Sequence, residues 1–338
     1  MTVQLLTHSW RMARVATAAL ALTAAALTVS GPATSHSAPQ AAPAAAAGVP
    51  CLTKASAERV RVGSGLNGVD PNTVTFAESQ QAETRLQAKA RQRGLSAERV
   101  TLKKAKIDVY VHVITTDAGR GGVSKKRIKQ QIAVLNKAYA GKSSSKSKKT
   151  PFTFKLKSID KTKNSDWYRW TAPDETDVND DANAAPKDAL HKGGSDDLNL
   201  YIASLTGGVL GYATFPDDTT LLRDGVVVLN ESLPGGKAKP YNKGDTLTHE
   251  VGHWLGLYHT FQNGCFAPGD LVDDTPYQAD GVNVFSCEKE DTCVSAGKDP
   301  VHNFMSYGDD KCLDRFSKGQ VSRMATAWQL FRAPGAGA

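Results

Sequence analysis

The chain has 338 residues, 40% hydrophobic and 22% charged, with a formal net charge of +7, a composition that excludes disordered and fibrous classes and permits a sizeable core. Much of the excess lysine lies between Lys103 and Lys163, including the run SSSKSKK at 143–149. No aromatic-interleaved basic motif accompanies it, so nucleic-acid binding is not expected, and loose attachment to an acidic surface is the use such charge would have.

Arg11 and Arg14 precede an apolar run from Ala16 to Val29 and small residues at 33–38, the pattern of a secretory signal peptide over residues 1–38. The run is shorter than the roughly 20 residues that span a bilayer, and no later stretch approaches that length. A secreted monomer without a stable membrane anchor is therefore expected. Residues 39–50, PQAAPAAAAGVP, form a low-complexity linker. From Cys51 to about Val100 the chain is polar, with NGVDPNT followed by a charged helical pattern over Ala77 to Arg93. It reads as a propeptide, against the alternative of a retained N-terminal subdomain.

From Ile107 the pattern changes. Ile107, Val109, Val111 and Val113 alternate over IDVYVHVIT, which predicts a strand with one buried face. Ser124 then caps a helix carrying Ile128, Ile132 and Leu135, and Phe152, Phe154 and Leu156 restore the two-residue period. Strand, helix, strand opens an α/β sheet. Residues 166–186 are polar and turn-rich and read as an exposed loop, while LNLYIASL, GVLGYATFP and DGVVVLNESLP supply three further short strands.

Residues 245–260, DTLTHEVGHWLGLYHT, contain H-E-x-x-H-x-x-G-x-x-H. His249 and His253 are one helical turn apart and face the same way. Gly256 permits a left-handed residue that ends the helix and brings back His259. Three imidazoles suit zinc and leave one position open, where water can be activated. Glu250 follows the first ligand and is the candidate general base. A purely structural site has no use for such a base, which argues against the rival reading, a non-catalytic secreted zinc-containing adhesin or binding module. A zinc hydrolase of a non-peptide bond is a further alternative.

Cys265, Cys287, Cys293 and Cys312 follow the motif, and Cys51 stands apart. In an exported chain the four form two disulfides, with three connectivities open. Their spacing is too wide for a Cys-ligated zinc site. Residues 262–303 lack periodicity, and Ser317 caps a last helix, Lys318 to Arg332, with Val321, Met324, Trp328 and Phe331 on one face.

The extended histidine motif, GDLVDDTP at 269–276 and NFMSYGDDKC at 303–312 together resemble the pappalysin family of metzincin zinc peptidases, over roughly residues 105–332. The resemblance implies an α/β (α+β) zincin. Its twisted mixed sheet would stand with backing and active-site helices above the cleft, over an irregular disulfide-tied lower half ending in a C-terminal helix. Residues 39–100 would be linker and propeptide, and 101–338 the catalytic metallopeptidase domain. Met305 would be the Met-turn floor beneath the zinc, and Tyr307 a donor to the developing oxyanion. The resemblance also implies pairing of Cys265 with Cys293 and Cys287 with Cys312, and calcium held by Asp270, Asp273, Asp274 and Thr275. Cys51 would be a latency switch on the metal. Protein or peptide substrates would add as a strand to the edge at 208–216. A preference for Arg or Lys after the scissile bond would need an acidic pocket, for which Asp309 and Asp310 are the nearest carboxylates.

Overall fold

The computed structural model describes residues 70–95, 104–173, 181–216 and 220–336. Cys51 and the expected leader and linker lie outside the described residues. Helix α1 (Phe76–Gln92) begins in a capping box, with the Thr75 hydroxyl accepting from the Glu78 N–H while the Glu78 side chain returns to Thr75. Strand β1 (Ala105–Thr115) follows. Helix α2 (Lys125–Tyr139) starts at Ser124, whose hydroxyl accepts from the Arg127 N–H at 3.3 Å. Strand β2 (Phe152–Lys163) then pairs parallel to β1.

Residues 166–186 differ from the expected exposed loop. They contain most of a one-turn helix α3 (Ser165–Tyr168), the two-residue strand β3 (Arg169–Trp170) and the start of helix α4 (Ala184–Leu190). Trp170 is 1% exposed and donates from its indole N–H to the Tyr212 hydroxyl at 2.6 Å. Burying a side chain of this size contributes about 3 kcal/mol, and two strand residues are too few to reveal a period. Trp167, Tyr168 and Leu190 pack with it over the second face of the sheet, so the C-terminal half of β1 is covered on both sides rather than one.

Strands β4 (Leu198–Leu205), β5 (Gly211–Ala213) and β6 (Val226–Leu229) complete the sheet in the order β2-β1-β4-β6-β5, and β3 pairs with β4 off that path. All these pairings are parallel except β5 with β6, which is antiparallel and leaves β5 at the edge. The apolar face of α2 and the inner face of helix α5 (Asp245–Trp254) enclose the main core with Val109, Val111, Leu200 and Val228. Beyond α5 the chain is irregular until helix α6 (Lys318–Ala327), whose axis continues as a wider π-helical turn, Trp328–Arg332. Two disulfides tie this lower half, Cys265–Cys293 and Cys287–Cys312. Among the described residues no helix is long and apolar enough to cross a membrane.

Candidate active site

Helix α5 is fixed at both ends. At its start, the Asp310 carboxylate accepts from the Lys243 and Gly244 N–H groups at 2.6 and 3.2 Å, and the Gln131 amide donates to the Gly244 carbonyl at 2.9 Å. Asp310 is buried in this capping role, which favours an anion at the positive end of a helix. At the other end the Leu257 N–H bonds the Gly252 carbonyl at 3.0 Å and the Gly256 N–H bonds the His253 carbonyl at 2.8 Å, the two bonds of a Schellman closure. Gly256 has φ +89°, and a Cβ there would lie 2.9 Å from the Ala327 Cβ. The chain therefore reverses at Gly256 and returns His259 to the helix.

The Nε2 atoms of His249, His253 and His259 lie 3.0, 3.0 and 3.2 Å apart, and all three side chains are buried. His249 Nδ1 faces the Phe304 carbonyl at 2.7 Å and His253 Nδ1 the Leu257 carbonyl at 2.8 Å. A carbonyl can only accept, so those Nδ1 atoms carry the protons and the Nε2 lone pairs point inward. Lone pairs crowded in this way repel unless a cation sits among them, so the donor set fits a zinc ion. The trio is also the one His, Cys, Asp or Glu cluster of metal-binding geometry among the described residues.

Glu250 is 2% exposed beside the trio. A Cβ on Gly211 in β5 would stand 2.9 Å from Glu250 Cγ and 3.1 Å from its Oε1, so the missing side chain at the sheet edge makes room for this carboxylate. Met305 is fully buried, and its sulfur occupies the place a Cβ on Gly252 would need. The Met305 N–H donates to Asn303 Oδ1 at 2.9 Å, and Asn303 and Gln320 exchange amide bonds at 2.8 and 3.0 Å. The Met-turn is thus tied to the first turn of α6.

Tyr307 is also fully buried, its ring centroid 4.8 Å from that of His259. Its hydroxyl donates to Asp70, a residue the sequence reading missed. Asp70 Oδ2 lies 3.3 Å from His259 Nε2. Burial pushes the Asp70 carboxyl up, but His259, His253 and the Tyr307 hydroxyl together outweigh it, and the carboxyl settles at about 2. Burial and the adjacent Asp70 push the Tyr307 phenol well above its ordinary value. Asp70 heads a turn in which the Thr73 N–H bonds the Asp70 carbonyl at 2.9 Å and the Asn72 N–H bonds Asp70 Oδ1 at 2.7 Å. Pro71 sits where a turn prefers a preset φ. The signal was present in D-P-N, a turn sequence led by a carboxylate.

The turn is anchored on either side. The Asn72 side-chain amide pairs with both backbone groups of Ala213 in β5, at 2.7 and 2.9 Å, as a neighbouring strand would. Gln262 donates to the Val74 carbonyl at 2.7 Å. Helix α1 then packs on the end of the chain. Glu83 pairs with Arg323 at 2.9 Å, Leu86 and Ala90 cluster with Leu330, and Arg93 donates to the Gln329 and Ala336 carbonyls at 3.2 and 2.5 Å.

The four residues expected to hold calcium are not gathered together. Asp274 accepts from the Ser317 hydroxyl and the Gly319 N–H at 2.6 and 2.9 Å, capping α6, and Asp273 is exposed. Asp270 and Thr275 are buried, and neither Asp270 Oδ2 nor the Thr275 hydroxyl completes a hydrogen bond. Burial pushes the Asp270 carboxyl to about 8. Asp309 is half-buried and accepts from the Lys311 and Cys312 N–H groups at 2.7 and 3.1 Å.

A mixed sheet beside a three-histidine cluster, with the buried Met305 packed against Gly252 of the helix that carries two of the histidines, is the arrangement of a metzincin-type metallopeptidase. The family model described as pregnancy-associated plasma protein-A matches residues 193–329, and that of reprolysin-like metallopeptidases matches 125–260. An extracellular metalloprotease of Pyricularia oryzae is 42% identical over 233 residues, 67% of this chain and 76% of that protein. One from Neurospora crassa is 38% identical over 293 residues, 83% of this chain and 96% of that protein. Mature mirolysin of Tannerella forsythia, solved with a cleaved peptide, superposes with a TM-score of 0.54 at 28% identity, covering 68% of this chain and 93% of that one. The chain belongs to the pregnancy-associated plasma protein-A, or pappalysin, family of metallopeptidases.

Proposed function

We propose that the chain is an extracellular zinc endopeptidase, held latent by Asp70, in which His249, His253 and His259 hold the ion. The observation that carries this reading is the convergence of three inward-facing Nε2 atoms within 3.2 Å of one another. The names of the fungal relatives support the extracellular location. When bound, zinc supplies Lewis acidity, polarising the scissile carbonyl and making water a nucleophile near neutral pH.

The chain's own residues do the rest. Glu250 takes the proton of the attacking water and passes it to the leaving amine. Tyr307, once released from Asp70, donates its hydroxyl to the oxyanion, a role in which one donor typically contributes about 10²–10³ in kcat. Ala213 offers its backbone N–H and carbonyl to a substrate strand. Asp70 blocks these steps by standing beside His259 and occupying Tyr307, and its turn keeps the backbone at 70–73 out of the extended form that an edge strand accepts. A cation such as calcium at Asp270 and Thr275 would neutralise the buried carboxylate there. A preference for Arg or Lys after the scissile bond rests on Asp309, since Asp310 is committed to α5.

The general base is tested by Glu250→Ala. The variant should keep its melting temperature and bind one zinc per chain while peptide hydrolysis falls by at least about a hundredfold. Hydrolysis near the parental rate would remove Glu250 from the mechanism.

A further inference from the structure

We infer that Gln262 is a substrate-binding residue whose side-chain amide donates to a backbone carbonyl of the bound peptide, a second fixed point beside the β5 edge. The inference rests on the peptidase reading and concerns how the cleft grips a chain of any sequence.

Gln262 lies three residues past His259, on a turn closed by its own N–H to the His259 carbonyl at 3.0 Å. Its Nε2 donates to the Val74 carbonyl at 2.7 Å, and Asn263 Oδ1 stands 3.3 Å from the same nitrogen. Asn263 adopts φ +61° and donates through Nδ2 to the Gly269 carbonyl at 2.9 Å. That second bond settles which atom of Asn263 is oxygen, and so the Gln262 NH₂ is the group held toward the cleft. The side chain is 7% exposed, its donor already oriented before any peptide arrives.

Val74 is two residues beyond Asn72, which holds Ala213, and four beyond Asp70, which lies against His259. One segment therefore touches the metal centre, the edge strand and Gln262 in succession. When it leaves, the Ala213 backbone groups lose the Asn72 amide and the Gln262 NH₂ keeps Asn263 Oδ1 but loses the Val74 carbonyl. The second N–H then opens to the cleft in a fixed direction, and the acceptor that every peptide substrate can offer it is a main-chain carbonyl. A neutral amide suits this role because it reads the backbone without selecting a side-chain charge.

The same contact serves both states, so the anchors of the turn are removed before Gln262 is read. In the full chain carrying Asp70→Ala and Asn72→Ala, which frees the turn from the centre and from Ala213, Gln262→Ala should raise KM for oxidised insulin B chain about 3- to 10-fold, the value of one hydrogen bond, with kcat within about twofold. Gln262→Glu, which turns an acceptor toward the carbonyl, should raise it further. In the same background with Glu250→Ala, where hydrolysis is not needed, Gln262→Ala should weaken binding of the fluorescein-labelled B chain by the same factor. A fall in kcat with unchanged KM and affinity, or a lowered melting temperature with both unchanged, would make Gln262 a structural residue and overturn the inference. Absence of B-chain binding would overturn it as well. If the Asp70→Ala/Asn72→Ala chain binds the B chain but cleaves no peptide, the peptidase reading fails while the affinity comparison still decides Gln262.

Discussion

Gly252 shows how single residues shape the centre, because the Met305 sulfur fills the space its Cβ would take. Gly211 does the same for Glu250 and Gly256 for the return of His259. These three glycines decide where the chemistry-bearing side chains can stand. The histidine trio and Glu250 were legible because a helix turn and a glycine stop relate them within eleven residues of sequence. Asp70 was not, since 189 residues separate it from His259 and only the folded chain brings them together. Of the four residues expected to hold calcium, Asp274 caps α6, while Asp270 and Thr275 are the buried pair. At Asp270 and Thr275 the expectation is specific. Calcium at about a hundred times its dissociation constant should raise the melting temperature by roughly 5 °C or more, and Asp270→Asn should abolish that response. An unchanged melting temperature of the parent in calcium would dismiss the site.

The elements are joined by one buried ion pair. Asp224, just ahead of β6, accepts two bonds from Arg332 at 2.8 and 3.0 Å, while Arg332 Nε donates to the Trp254 carbonyl at the end of α5 at 2.6 Å. The Trp254 indole and the Thr214 hydroxyl also donate to Asp224, at 3.0 and 2.6 Å. Burial pushes this carboxyl up, but Arg332 and the two further donors pull it below its ordinary value. A depressed folded value means that the stabilisation is present above the unfolded value of about 3.9 and is lost as pH falls through the folded one. Asp224→Asn should therefore flatten the acid limb of the stability curve below about pH 4. At neutral pH it should cost about 3–5 kcal/mol by removing the carboxylate that balances the buried Arg332 charge, as urea unfolding at several pH values would measure. An unaltered acid limb would contradict the assignment. Nothing in the sequence pairs Asp224 with Arg332, 108 residues on, whereas α2, β1, β2 and α6 announce themselves by period and caps. The edge β5 was legible as part of 208–216, but the cover over the second sheet face was not, because its buried anchors Trp170 and Asn183 are isolated among polar neighbours.

At the scale of the whole molecule, residues 70–74 lie as a turn against the histidine trio and β5, and α1 packs against the turns after α6. Asp70 engages the centre, Asn72 the edge strand and Val74 the lower rim, while Glu83, Leu86 and Arg93 hold α1 against the C-terminal turns. The latency proposed here depends on the Asp70 carboxylate.

The most direct measurement is digestion of a complex peptide mixture, with every cleavage site read by mass spectrometry, by the parent chain, the Asp70→Ala chain and the Asp70→Ala/Glu250→Ala chain, each with and without a zinc chelator. The account predicts few cleavages by the parent, many by Asp70→Ala that the chelator removes, and none by the double variant. Cleavage before Arg or Lys would support Asp309 as the specificity carboxylate, and another preference would dismiss it. Abundant cleavage that survives the chelator or the loss of Glu250, or a silent Asp70→Ala chain with zinc bound, would contradict the central claim.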